Sequence, residues 1–385
     1  MREYLLTAVV AAAVTYLLTP VARRIALRWG AMTEVRDRDV HAIPTPRLGG
    51  LAMMGGFAAA LLVANSLPFL GPRLLNRDIL AVLSGAALIC ALGVIDDRYE
   101  LDAVTKLAGQ VLAAGVMVLQ GVQMLFLPLG GLAPSPTDDI PGAVVLGPLE
   151  GSVLTILLIV VTVNAVNFVD GLDGLAAGIV AIAATAFFAF SYLLTVEEGL
   201  LRATTAGIVA AALVGVCVGF LPHNFSPARV FMGDSGSMLI GLLLATTTIT
   251  LTGSVNPNDI GTDIAPALVP LLLPIAVMVV PFLDVVLAIV RRLLAGRSPF
   301  APDKQHLHHR LLERGHSHAR AVLVMYLWSA VLAFGAIAVA FDGGTTAKVV
   351  SLVVVSVVAL LVTMNIPRLR RSEGTFTGLR RGRIR

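Results

Sequence analysis

Five short segments of this sequence carry side chains suited to handling charged phosphates or a cation. The first is Asp96-Asp97, adjacent carboxylates closing the apolar run ILAVLSGAALICALGVIDD. Two acids side by side at a membrane boundary repel one another and are costly to dehydrate, which points to a bound cation; an ordinary polar helix end is the plainer reading. Shortly after, Lys106 opens the next apolar stretch in TKLAGQ, where its ammonium could snorkel to the interface or hold a phosphate.

The second segment is NAVNFVDGLDGLAAG, from Asn164 to Gly178. Asn167, Asp170 and Asp173 are spaced by three, so a helical turn would align their oxygens on one face, and Gly171 and Gly174 let the backbone approach a ligand. The spacing is not that of an EF-hand, and oxygen-only donors favour Mg²⁺ or Mn²⁺ over Zn²⁺. A capped helix start is the alternative. In the third, PHNFSPARVFMGDSGSMLIG, Asp234 lies between Gly233 and Ser235-Gly236 just before a span, as an N-cap or as a ligand beside helix-start amides.

The fourth, RSPFAPDKQHLHHRLLERGHSH, gathers His306, His308 and His309 with Lys304, Arg310 and Arg314. It has no cysteine or carboxylate pair to build a Zn²⁺ site, and a cationic loop facing acids suits a diphosphate better. The fifth, HAIPTPRLGG, offers His41 and Arg47, whose guanidinium forks onto phosphate oxygens; a purely structural loop is as good a reading.

The elements that must position these groups are membrane helices. Of the 385 residues 57% are hydrophobic and only 14% charged, where a soluble domain carries roughly 25% charged residues. Mean hydropathy is +0.88. The apolar residues form runs long enough to cross a hydrocarbon core of ~30 Å. We expect an all-α integral membrane protein, a polytopic bundle of about eleven transmembrane helices near 4–22, 48–66, 79–95, 105–122, 152–166, 174–195, 203–221, 237–252, 265–290, 320–341 and 347–365. The ninth is kinked by Pro270, Pro274 and Pro281. Residues 1–366 make one transmembrane catalytic domain, and 367–385 a basic, disordered cytoplasmic tail. The first run reads as a retained helix rather than a signal peptide, and Cys90 and Cys217 are too few for a disulfide framework.

Eleven spans put the termini on opposite sides. All 28 Lys and Arg except Arg2, Arg73, Arg77, Arg202 and Lys348 fall on one side, which the positive-inside rule makes cytoplasmic, with the N-terminus periplasmic or extracellular and the C-terminus cytoplasmic. A pI near 9.4 is then explained by orientation and anionic lipid, without nucleic acid. All 7 histidines, including His223, sort to the cytoplasmic loops with Asp96, Asp97, Asp170, Asp173 and Asp234, as an active site on that face would require.

With these motifs in this order, the sequence resembles the polyprenyl-phosphate N-acetylhexosamine-1-phosphate transferases over about residues 30–330. The most specific pieces are NAVNFVDGLDGLAAG, VFMGDSGSMLIG and the Asp pair together with HLHH. The resemblance implies transfer of a sugar 1-phosphate from a UDP-N-acetylhexosamine to a polyprenyl phosphate in the plasma membrane, with Mg²⁺ (or Mn²⁺) and release of UMP. It implies catalytic positions at Asp96, Asp97, Asp170, Asp173, His306, His308 and His309. It also implies substrate contacts at His41, Arg47, Lys106, Asn164, Lys304 and Arg310, and a metal at Asn167 and Asp234. Leu307 interrupts the histidine run, which is more like the N-acetylglucosamine branch than the muramoyl-pentapeptide branch. The expected partners are UDP-N-acetylglucosamine, undecaprenyl or decaprenyl phosphate and the bilayer, with a homodimer open as an assembly. A transporter, the rival class, would place its acids at mid-membrane and repeat its motifs in inverted halves, and neither is visible here.

Overall fold

A computed structural model describes residues 1–33, 44–74, 76–128, 143–196, 199–200, 203–254, 268–277, 318–341 and 356. Within them the chain is almost wholly helical. In order come α1 (Arg2–Trp29), α2 (Gly49–Ser66), a single 3-10 turn (Gly71–Arg73), α3 (Asn76–Tyr99) and α4 (Ala103–Leu119). After them come α5 (Pro148–Val169), α6 (Leu175–Val196), α7 (Ala203–Asn224), α8 (Gly233–Thr252), α9 (Leu268–Val277) and α10 (His318–Phe341). Eight of these helices are long and apolar enough to cross a membrane, and α4 and α9 are shorter apolar helices. The α4–α5 connection contains a two-residue antiparallel pair, Phe126–Leu127 (β1) against Val144–Val145 (β2). The expected eleventh span lies outside the described residues, apart from residue 356, as does the tail.

Helix boundaries follow local chemistry. Pro148 occupies the first turn of α5, where its missing N–H costs nothing, so α5 begins earlier than the expected 152. Asp102 caps α4 by accepting from Val104 N (3.0 Å) and Thr105 N (3.1 Å). Gly30 ends α1 in the left-handed conformation.

The core is α8. Its leucines, two isoleucines and alanine are buried among α2, α3, α5, α6 and α7. Its Thr-rich second half would favour a strand by side-chain shape. In an apolar interior the backbone must bond within its own segment, and the hydroxyls must find acceptors too. Thr246, Thr247, Thr248, Thr250 and Thr252 each donate to the carbonyl one turn back, at 2.8–3.1 Å.

Pro20 lies inside α1 and has no N–H to give the Tyr16 carbonyl. His223 of α7 supplies the missing donor: its Nε2 is 3.1 Å from Tyr16 O, with the ring stacked on Tyr16 at 4.7 Å between centroids. A carbonyl only accepts, so the proton sits on Nε2. His223 is therefore in the last turn of a helix rather than in a loop, and it repairs a helix break. Its position is explained without reference to an active site, so the sorting of histidines to one face is weaker evidence than it looked.

Candidate active site

Among the described residues, the Asp96-Asp97 segment, the Asn164–Gly178 segment, the segment before α8 and the stretch before α2 meet at one end of the bundle, where α1, α3, α5 and α7 finish and α2, α4, α6 and α8 begin. The start of α8 is wedged between α2 and α3 at glycine contacts. A Cβ on Gly50 would collide with the Gly236 and Ser235 backbone, and one on Gly93 with that of Ser235 and Asp234. The strand-like stretch before α2 is laced to the segment before α8. Phe231 N donates to Pro46 O (2.8 Å), Gly49 N to Phe231 O (3.1 Å) and Gly50 N to Met232 O (3.0 Å).

Asp234, in the first turn of α8, is the hub. Its Oδ2 accepts from Lys106 Nζ at 2.8 Å, and its Oδ1 from Asn167 Nδ2 at 2.8 Å. Asn167 also donates to Ser237 Oγ at 2.8 Å, one turn further along α8. Lys106 reaches across to Asp96 Oδ2 at 2.5 Å, so a single ammonium bridges two carboxylates. Asp96 is 4% exposed and Asp234 28%; the hub faces the solvent side and Asp96 backs it.

The adjacent acids are thus not a matched pair. Asp96 holds Lys106 and accepts from Leu101 N at 2.8 Å. Asp97 turns to α8, accepting from Asp234 N (2.8 Å) and Ser235 N (3.1 Å). Their mutual repulsion is relieved by a lysine and by main-chain amides within the chain itself.

The expected alignment of Asn167, Asp170 and Asp173 on one helical face is not formed. α5 stops at Val169 and Asp170 is its C-cap, so only Asn167 keeps helical geometry. Asp173 lies in the following turn and its Oδ2 accepts from Ala228 N at 2.9 Å, tying the α5–α6 turn to the α7–α8 segment. Asp170 stays beside the hub. Burial first, and then the carboxylates of Asp234, Asp97 and Asp173, push its pKa up to about 8 against the opposing pull of Arg47. Its side chain keeps some accessible surface, but the protein packed around it limits hydration of its charge.

Arg47 points its Nε at Thr33 Oγ1 (2.9 Å), on the edge of the site near Asp170. Asn164 is one turn from Asn167, and its Nδ2 donates to Gln110 Oε1 at 2.6 Å. His41, Lys304, His306, His308, His309 and Arg310 lie outside the described residues.

Several neighbours escaped the sequence reading. Gln110 follows Lys106 by four residues and Ser237 follows Asp234 by three, so helical periodicity could have flagged both. Asn224 and Tyr326 carried no such signal. Asn224 Oδ1 accepts from Gly174 N (3.1 Å) and its Nδ2 donates to Val230 O (3.1 Å), while the Tyr326 hydroxyl donates to Gly174 O. Those contacts staple the glycine turn in place and depend on tertiary packing.

Among the described residues no three of Asp, Glu, His and Cys come close enough to cage a metal ion. Asp234, its hydrogen-bonded neighbour Asn167, and Asp170, close enough to feel its charge, are the oxygen donors at the hub. That set fits Mg²⁺, which keeps several waters and is bound through one or two carboxylates plus substrate phosphates rather than by a closed protein shell.

Residues 79–252 match the sequence model of glycosyl transferase family 4, a stretch that contains every site residue expected from the sequence and described in the structure except Arg47. The decaprenyl-phosphate N-acetylglucosaminephosphotransferase of Mycolicibacterium smegmatis is 49% identical over 377 residues, covering 96% of this chain and 90% of that protein. The protein of that name from Mycobacterium tuberculosis H37Rv is 47% identical over 383 residues, 98% of this chain and 92% of that protein. A phospho-N-acetylmuramoyl-pentapeptide-transferase from Desulforudis audaxviator is 33% identical over 340 residues, 84% of this chain and 95% of that protein.

Proposed function

Because the chain belongs to glycosyl transferase family 4, we propose that it transfers N-acetylglucosamine 1-phosphate from UDP-N-acetylglucosamine to a polyprenyl phosphate. The products are polyprenyl-diphospho-N-acetylglucosamine and UMP, and the reaction is the first lipid-linked step of a cell-envelope polysaccharide. The observation that carries this is near-full-length similarity, at 47–49% identity, to proteins named decaprenyl-phosphate N-acetylglucosaminephosphotransferase. The muramoyl-pentapeptide relative is more distant, and decaprenyl phosphate is the acceptor the similarity favours.

The chain's residues divide the work as follows. The acceptor phosphate, with a second pKa near ~6, is mostly dianionic at neutral pH, so no strong base is needed. Its oxygen attacks the phosphorus next to the sugar, and the bond to the UMP phosphate breaks. Lys106, held between Asp96 and Asp234 and 32% exposed, places a positive charge where non-bridging oxygens gain negative charge. Asp234 and Asp170, with the Asn167 amide, would hold Mg²⁺ on the donor diphosphate. When bound, that ion would screen the diphosphate and stabilise the departing phosphate. His306, His308 and His309, with Lys304 and Arg310, would grip the uridine-side phosphate, and His41 and Arg47 would close the rim. Asn164, locked to Gln110, would line the approach of the acceptor. Transfer is by single displacement; a phosphosugar-labelled protein formed without acceptor would contradict this.

The site opens on the cytoplasmic face of the plasma membrane, where UDP-sugars are made, and the full chain has eleven spans. In support, the eight helices α1 to α8 alternate in direction if α4 also crosses, and its 17 residues span about 25 Å. Membranes carrying the chain, given radiolabelled UDP-N-acetylglucosamine and decaprenyl phosphate, are expected to form lipid-linked sugar and UMP. No product from that donor, with transfer from UDP-muramoyl-pentapeptide, would contradict the proposed donor.

A further inference from the structure

We infer that Asp97 is a positioning residue: its carboxylate caps the start of α8 from the neighbouring helix and so sets where Asp234 points, without itself touching substrate or metal. The inference rests on the transfer reaction proposed above and revises the expectation that the two adjacent acids act together.

The first N–H groups of any helix lack partners within the helix. In α8 the residue at the cap is Met232, whose side chain makes no capping bond. Asp97 of α3 fills that gap with both oxygens, one on Asp234 N at 2.8 Å and the other on Ser235 N at 3.1 Å. It is 5% exposed, against 28% for Asp234 and 32% for Lys106, so little of its surface is left for a ligand. The slot it occupies is shaped by glycine. Gly233 sits at φ +69, and a Cβ there would run into the Asp97 carboxylate, while Gly93, one turn before Asp97 on α3, lets the two backbones touch at Ser235. The acid, the glycine beneath it and the left-handed glycine before Asp234 form one interlocking joint between α3 and α8. Asp96 takes no part in it, being bonded to Lys106 and Leu101 N.

The test compares Asp97→Asn, Asp97→Glu and Asp97→Ala by kcat, donor KM and hydrogen exchange across residues 233–237 of the full chain in detergent. Asn keeps a carbonyl acceptor for the Asp234 amide, so kcat should stay within about tenfold of the parent. Glu keeps the acid but is a methylene too long for the glycine slot, and should fall below Asn. Ala should lose about a hundredfold in kcat with donor KM changed by less than about threefold. Its Asp234 and Ser235 amides should exchange about tenfold faster or more. A proton-transfer or metal-ligand role makes the opposite prediction, with Glu above Asn, and that ranking would overturn the inference. So would an Asn variant as inactive as Asp234→Asn while the two amides stay protected. Rapid exchange of those amides in the unsubstituted protein would overturn it without any variant. If the unsubstituted protein transfers nothing, the functional proposal fails, and the exchange data still decide the cap.

Discussion

At the scale of single residues, Asp234 carries the most consequence because four other side chains depend on where it sits. Lys106 and Asn167 bond its carboxylate, Asp96 anchors that lysine, and Asp97 holds its main chain. Replacing Asp234 with Asn keeps the shape and removes the charge. Transfer should fall by roughly a hundredfold or more, as when a central electrostatic group is removed from other enzymes, while the protein still elutes as a folded species. Near-normal turnover at saturating Mg²⁺ would remove Asp234 from the centre of the account. Asp170 makes a separate prediction. Its folded pKa of about 8 lies well above the ordinary carboxylate value, so between those limits the folded state holds a proton that the unfolded state has lost. Stability should then fall as pH rises from about 4 to about 8 in cation-free buffer, and level off above that. Asp170→Asn should flatten that slope, and so should added Mg²⁺ if the ion binds beside the carboxylate. An unchanged slope in Asp170→Asn, read from Tm against pH, would assign the titration to another group.

At the scale of elements, two joints set the geometry. One is the close approach of α2 and α3 to the start of α8. Gly93→Ala places a methyl against the Ser235 backbone, which cannot yield as a flexible side chain would. Overpacking of this kind costs about 1–3 kcal/mol, and transfer should drop along with thermal stability. The other is the break at Pro20. His223→Phe keeps the stacking on Tyr16 but leaves its carbonyl without a donor, a loss of about 1–3 kcal/mol. Pro20→Ala restores an N–H to α1, so the double variant should regain most of that stability; full additivity of the two changes in a thermal melt would refute the repair. These joints also mark where sequence reading stops. The motif at Asp170 and Asp173 looked like one helical face because its spacing is three, yet α5 stops at Val169 and the turn through Gly171 carries the chain out of helical geometry between the two acids. The partners of Asp97 and Asp173 are main-chain amides far away in sequence, which no local pattern encodes.

At the scale of the whole molecule, the helical membrane class and the convergence of the described acidic segments were legible, because hydropathy sets where spans lie and their parity sets which ends meet. The two-residue pair β1–β2 was not, since so short a ladder is made by tertiary pairing rather than by propensity. Orientation is open to direct test. Cys90 and Cys217 are buried, so background labelling by an impermeant maleimide should be low. Leu149→Cys, at the end of the bundle away from the site, should label in intact cells, and Tyr99→Cys, at the site end, only after permeabilisation; both positions are exposed. The reverse pattern would turn the protein over.

The most direct test of the central claim follows one phosphorus atom. Purified protein is given decaprenyl phosphate and UDP-N-acetylglucosamine labelled with ³²P at the phosphate next to the sugar. Transfer of the sugar 1-phosphate predicts label in the lipid product, with one UMP released for each labelled lipid, and loss of both in Asp234→Asn. Label recovered in UDP, with unlabelled phosphorus alone in the glycosylated lipid, would mean that the sugar moves without its phosphate, and would contradict the account.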